Sequence, residues 1–217
     1  MSKLYSAAES AYREVKELIL SGALPGGELI SEGEIASRMG SSRTPVREAF
    51  LRLEAEGWMR LYPKRGALVV PIADGEAEHV VDARLLVEVH AVEAVASNPR
   101  VRDALVAALR ENLVRQRELV ATGGDAAQFS ALDADFHRTL VRAGGNPLLE
   151  TFYDGLRERQ RRMTASSLAR DPEQITKIVE DHSRLTDLIA AGDAAGFAAA
   201  VRRHMREVHA LGEGGRR

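Results

Sequence analysis

The chain has 217 residues, with 30 Lys plus Arg, 32 Asp plus Glu, no cysteine and a formal net charge of −2. That length accommodates one or two domains with a real core, and the missing cysteines exclude a disulfide framework, a Cys-based zinc finger, an iron–sulfur cluster and a Cys nucleophile. No stretch approaches 18 uncharged apolar residues, and Met1 to Tyr12 carries Glu9 without an apolar run, so neither a membrane span nor a signal peptide is expected, and a cytoplasmic location is.

Apolar positions Ala8, Val15, Leu18 and Ile19 predict a first helix over 6–21, ended by Gly22, Pro25, Gly26 and Gly27. Ser31 and Glu34 have capping-box spacing before a short second helix, with Ile35, Ala36 and Met39 on its apolar side and Gly40 as a left-handed stop. A third helix opens with Ser42 or Thr44 as cap and Pro45 in its first turn, and buries Val46, Ala49, Phe50 and Leu53. Arg43 and Arg47 lie one turn apart on another face. Two short helices joined by a tight turn describe a helix-turn-helix. Residues 57–62, 63–66 and 67–70 then read as strand, turn and strand, a hairpin with Lys64, Arg65 and Gly66 at its tip.

The charge has a local pattern that its sum hides. Residues 1–72 hold 10 basic and 9 acidic side chains, but residues 38–65 hold seven basic (Arg38, Arg43, Arg47, Arg52, Arg60, Lys64, Arg65) against three acidic. Charge alone fits a solvated face. On a helix-turn-helix with a basic wing it fits DNA: a helix N-terminus takes a phosphate, and arginine reads guanine bidentately. Arg38, Ser42, Arg43, Thr44, Arg47, Lys64, Arg65 and Gly66 are the candidate DNA-contacting residues.

After a join at 73–77, six helices are expected over 76–96, 101–121, 125–143, 147–167, 172–191 and 193–211, with Asp171 as N-cap and Pro172 at the first position of the fifth. Short connections imply antiparallel neighbours. The fold class is therefore mainly α: an N-terminal winged helix-turn-helix (1–72), a linker (73–77) and an all-α antiparallel bundle of about six helices (78–212), ending in a frayed tail, Gly212 to Arg217. Asp133 and His137 share one helix face, and His182 and His204 lie on the last two helices. A bundle core can gather such groups, and three imidazoles with one carboxylate suit Zn²⁺, Ni²⁺, Mn²⁺ or Fe²⁺. Spacing alone equally describes an exposed Asp–His pair and two hydrogen-bonded histidines. His79, His90 and His209 read as structural or surface.

Two resemblances add to this reading. The run Glu34-Ile35-Ala36-Ser37-Arg38-Met39-Gly40-Ser41-Ser42-Arg43-Thr44-Pro45-Val46-Arg47-Glu48-Ala49-Phe50, then Leu53 to Gly57 and Lys64-Arg65-Gly66-Ala67, resembles the signature of GntR-type winged-helix regulators. The resemblance implies operator contacts from Arg43, Thr44, Arg47 and Gly66. It also marks a departure: Gly33 stands where the family often carries a DNA-contacting arginine. The series Arg84-Leu85-Leu86-Val87-Glu88, Asp133 to His137, Gly145-Asn146-Pro147-Leu148, His182, Gly192-Asp193 and His204 resembles the FCD effector domain of the FadR branch, in length its VanR-like subgroup. That resemblance implies a divalent metal on Asp133, His137, His182 and His204, with a small carboxylate effector completing the coordination. Arg84 is the candidate to fork onto that carboxylate; its alternative is an intrahelical pair with Glu88, and Arg138 and Arg142 are further candidates. The expected protein is a homodimeric, ligand-responsive regulator of double-stranded operator DNA, a repressor released by its ligand. The rivals are a metal-dependent hydrolase or lyase on the bundle and an effector-free architectural DNA-binding protein.

Overall fold

The structure, a computed structural model, describes residues 5–210. The expected tail lies outside them. The described residues divide into two compact units that meet between Ile72 and Ala73.

In the first unit, α1 (Ala7–Leu20) is capped by Ser6, whose side chain accepts from the Glu9 N–H. The capping box forms at α2 (Glu32–Arg38), where Ser31 takes the Glu34 N–H and Glu34 returns to the Ser31 N–H. Gly40 then turns left-handed at φ 60° and closes the helix. α3 (Arg43–Ala55) starts after Ser42, which makes no side-chain cap bond. The hairpin is β2 (Met59–Tyr62) and β3 (Gly66–Val69). A two-residue strand, β1 (Leu29–Ile30), adds to it antiparallel, giving the order β1-β3-β2. No periodicity predicts a strand of two residues. The core joins Val15 and Ile19 of α1, Phe50 and Leu53 of α3 and the inward Met59, Ala67 and Val69 of the sheet. Burying a side chain the size of Phe50 contributes about 2–3 kcal/mol.

The second unit holds α4 (Glu76–Ala96), α5 (Pro99–Ala121), α6 (Ala126–Ala143), α7 (Pro147–Arg170), α8 (Gln174–Ala190) and α9 (Ala194–Val208). α4 starts inside the expected linker, its Glu76 carboxylate taking the Ala73 N–H. α5 starts two residues early because Asn98 caps it and Pro99 opens it. The reading of Asp171 and Pro172 as cap and first turn is corrected: Asp171 ends α7, the next residues form a turn, and α8 begins at Gln174. α6 packs against α4, α5 and α7, while α8 packs on α5 and α9, and α9 on α4. The inward face of α6 carries Phe129, Phe136 and Leu140, and with them Asp133 and His137. No helix among the described residues is long and apolar enough to cross a membrane.

Candidate functional site

The winged unit presents an open groove between α3 and the hairpin. It brings together Arg43, Arg47, Lys64, Arg65 and Gly66 of the eight candidates, beside Glu32 and Gly33. Arg38, Ser42 and Thr44 are exposed at the helix-turn-helix corner but do not line it. Among the described residues Arg47 is held by a long 4.0 Å approach to Glu32, a surface pair worth little. The Arg43 guanidinium lies over Gly33, 3.3 Å from where a Cβ would stand. Gly66 has a reason of its own to be glycine. At φ 106° its Cβ would sit 2.3 Å from the Ile30 carbonyl oxygen, so β1 demands it before any ligand does. The hairpin is tied to α3 by Glu54, whose carboxylate takes the N–H of Leu61 in β2 at 2.8 Å.

In the bundle, Asp133, His137, His182 and His204 come together, all buried, with one ligand atom from each within 4.8 Å of the others. The neighbours aim these atoms. Asp133 Oδ2 accepts from Gln160 Nε2 at 2.9 Å and Thr164 Oγ1 at 3.2 Å, leaving Oδ1 to the cluster. His137 Nδ1 meets Glu88 at 2.7 Å, His182 Nδ1 meets Gln116 at 3.0 Å and His204 Nδ1 meets Asp181 at 3.1 Å. His137 Nε2 and His182 Nε2 then face Asp133 Oδ1 at 3.9 and 3.5 Å. Neither Nε2 has a hydrogen-bond partner among the described residues. Burial holds the His137 ring below the usual imidazole range despite the Glu88 carboxylate. Burial first, then the repulsion that a second imidazolium or the Arg84 charge would add, holds His182 well below it. Neutral imidazole lone pairs pointing at a carboxylate oxygen in a buried cluster are unfavourable as they stand, and suit a cation between them.

A second polar knot adjoins the first. Arg84 Nε donates to Glu88 Oε1 at 3.0 Å and lies 3.3 Å from the Tyr153 hydroxyl. Tyr153 donates to the same Glu88 oxygen at 2.5 Å. Burial pushes the Glu88 carboxyl up, but His137, Arg84 and Tyr153 outweigh it and hold it at about 2. The intrahelical Arg84–Glu88 pair therefore exists, yet Arg84 Nη2 is buried without a hydrogen-bond partner among the described residues. Arg138 and Arg142 are taken up by carboxylates of α7, Asp154 and Glu150. His209 is buried beside Ser167, and burial followed by the Arg84 charge lowers its ring to about 3. His79 and His90 are exposed. Sequence reasoning missed Gln116, Asn112, Gln160, Thr164 and Asp181. The first two were findable, because Asn112 and Gln116 fall in phase with buried Leu109 and Leu113.

Residues 7–69 match the bacterial regulatory protein family gntR, and residues 79–207 match the FCD domain. An uncharacterized HTH-type transcriptional regulator in an unstable DNA locus of Streptomyces ambofaciens is 32% identical over 200 residues, covering 91% of this chain and 81% of that one. The gluconate operon transcriptional repressor of Bacillus subtilis is 28% identical, covering 90% and 80%. A probable D-xylose utilization operon transcriptional repressor of Paenarthrobacter nicotinovorans is 33% identical, covering 81% and 75%. The fold matches that of Escherichia coli McbR/YncC with a TM-score of 0.76 at 22% identity, covering 96% and 97%. The chain thus belongs to the gntR family of bacterial regulatory proteins, with an FCD domain behind its winged helix, and it is a ligand-responsive DNA-binding transcription regulator rather than an enzyme.

Proposed function

We propose that the protein is a homodimeric, cytoplasmic repressor that leaves its operator when a small organic acid binds at a metal site in the bundle. One observation carries this reading: two buried Nε2 atoms without a hydrogen-bond partner among the described residues face a carboxylate oxygen, beside a buried arginine with one nitrogen likewise without a partner among those residues. Asp133 Oδ1, His137 Nε2, His182 Nε2 and the remaining nitrogen of His204 would hold a divalent first-row ion. When bound, that ion supplies a Lewis-acidic position for an acid's oxygen. Arg84 Nη2 would take the acid's other oxygen, since a guanidinium engages two acceptors at once. The gluconate operon name of the B. subtilis relative puts polyhydroxy acids first among the candidates.

DNA contact falls to Arg43, Thr44 and Arg47 of α3, with Arg38 and Ser42 at the corner and Lys64, Arg65 and Gly66 of the wing. A two-fold dimer meets a two-fold operator. Leu148 and Phe152, one turn apart on α7, and Leu86 on α4 stay exposed, apolar surface that a second copy would cover. Ligand shifts the two wings only through unequal affinity for the DNA-bound and released states.

The test is a thermal-shift screen of organic acids with and without divalent metals, each hit then assayed for release of operator DNA. A metal-dependent hit that releases DNA is the expected result. Arg84→Lys keeps the charge beside Glu88 but removes the second nitrogen. It should weaken the response to that acid about tenfold or more while DNA binding is retained. An unaltered response would leave Arg84 only its structural pair with Glu88.

A further inference from the structure

The three histidines of the cluster are held differently. Glu88 and Asp181 offer carboxylates, which only accept, so His137 and His204 each carry their proton on Nδ1. Gln116 offers an amide, which can present either its oxygen or its NH₂ group to His182. A neighbouring chain of hydrogen bonds removes that freedom. The Leu132 carbonyl at its far end can only accept. Asn112 Nδ2 therefore donates to it, at 3.1 Å. Asn112 Oδ1 then faces Gln116, whose Nε2 donates to it at 2.7 Å. Gln116 Oε1 is left facing His182 Nδ1, at 3.0 Å. His182 must carry its proton there and turn a bare Nε2 toward Asp133. The Phe136 ring, stacked on His182 at 4.0 Å and 4°, fixes the plane in which this happens.

We propose that Gln116 is a positioning residue that locks His182 in the Nδ1–H tautomer, and that Asn112, anchored on the Leu132 carbonyl, sets the direction of the lock. The anchor is one residue before Asp133. α5 thus ties the backbone beside the carboxylate on α6 to the imidazole on α8, and both groups reach the cluster in register. This inference rests on the metal reading for its purpose, but not for its geometry. Neither Asn112 nor Gln116 is a candidate ligand. Both are buried. Their amides face the imidazole and each other, and the lock concerns proton placement on one nitrogen or the other at constant charge.

The test is a long-range ¹H–¹⁵N correlation spectrum of the metal-free, full-length protein, which reads the tautomer of each imidazole, paired with a Zn²⁺ titration against a competing chelator. The wild type should show His182 as Nδ1–H. Gln116→Met, similar in volume but unable to accept, should lose that preference and bind zinc about 10–100-fold more weakly. Gln116→Glu still accepts the His182 proton, so the tautomer should persist and zinc affinity should stay within about threefold of wild type or rise. Asn112→Leu leaves the Gln116–His182 pair itself unaltered, yet it frees the Gln116 amide to flip and should give a tautomer mixture. The inference is overturned if His182 keeps its tautomer in both Gln116→Met and Asn112→Leu, or if Gln116→Glu loses as much zinc affinity as Gln116→Met. If the wild type takes up no zinc, the metal reading falls. The tautomer spectra then decide the lock by themselves.

Discussion

The double variant Arg43→Ala/Arg47→Ala should lose specific operator binding while its melting temperature stays that of the wild type. Arg47 projects from α3 with 73% of its side chain exposed, its ion pair among the described residues the long 4.0 Å approach to Glu32. Removing it costs the fold nothing of note, since exposed pairs contribute at most about 1 kcal/mol. Its proposed value is toward DNA, where one bidentate arginine–guanine contact carries about 1–3 kcal/mol of discrimination, roughly a factor of 5 to 150 per arginine. Two such losses one turn apart, in the groove that also holds Lys64 and Arg65, leave only salt-sensitive, non-specific attraction. The measurement is a gel-shift titration on an operator selected from random duplexes by the wild-type protein. Wild-type affinity in the double variant would sink the assignment of α3 as the recognition helix.

Glu88→Ala should destabilise the bundle by about 3–5 kcal/mol, the range for breaking a buried ion pair by removing one partner. Glu88 is fully buried and its two oxygens serve Arg84, Tyr153 and His137. Alanine leaves the buried Arg84 guanidinium without its carboxylate and takes the acceptor from Tyr153. Against a typical total of about 5–15 kcal/mol, the variant is marginal at 37 °C. Urea unfolding reads the change, and a loss under about 1 kcal/mol would contradict the buried triad. Acid should act in the same direction. The carboxyl is held at about 2, below its usual range. Its contribution is complete above the unfolded value and fades as the pH falls toward 2.

Most of the architecture was legible in local chemistry. The capping box at Ser31 and Glu34, the left-handed stop at Gly40 and the basic hairpin each follow from side chains within a few residues of one another. Boundaries failed where two local signals compete. Asn98-Pro99 opens a helix, whereas Asp171-Pro172, the same kind of pair, does not, because Asp171 is still closing α7. The four cluster residues could be named from the sequence, but their convergence could not, since α6, α8 and α9 meet only through tertiary packing. The groups that aim them were less visible still. Glu88 reads as half of an intrahelical i, i+4 pair until its burial against His137 and Tyr153 is known, and Gly66 reads as a ligand-contact glycine until β1 is placed beside it.

The role proposed for Asp133, His137, His182 and His204 is to hold a divalent ion through which the effector acts. Elemental analysis of protein loaded with a first-row metal and then dialysed tests it most directly. About one ion per chain is expected for the wild type, and less than about a tenth of that for His182→Ala and Asp133→Ala. An equal metal content in all three proteins, or none in the wild type, would contradict the account.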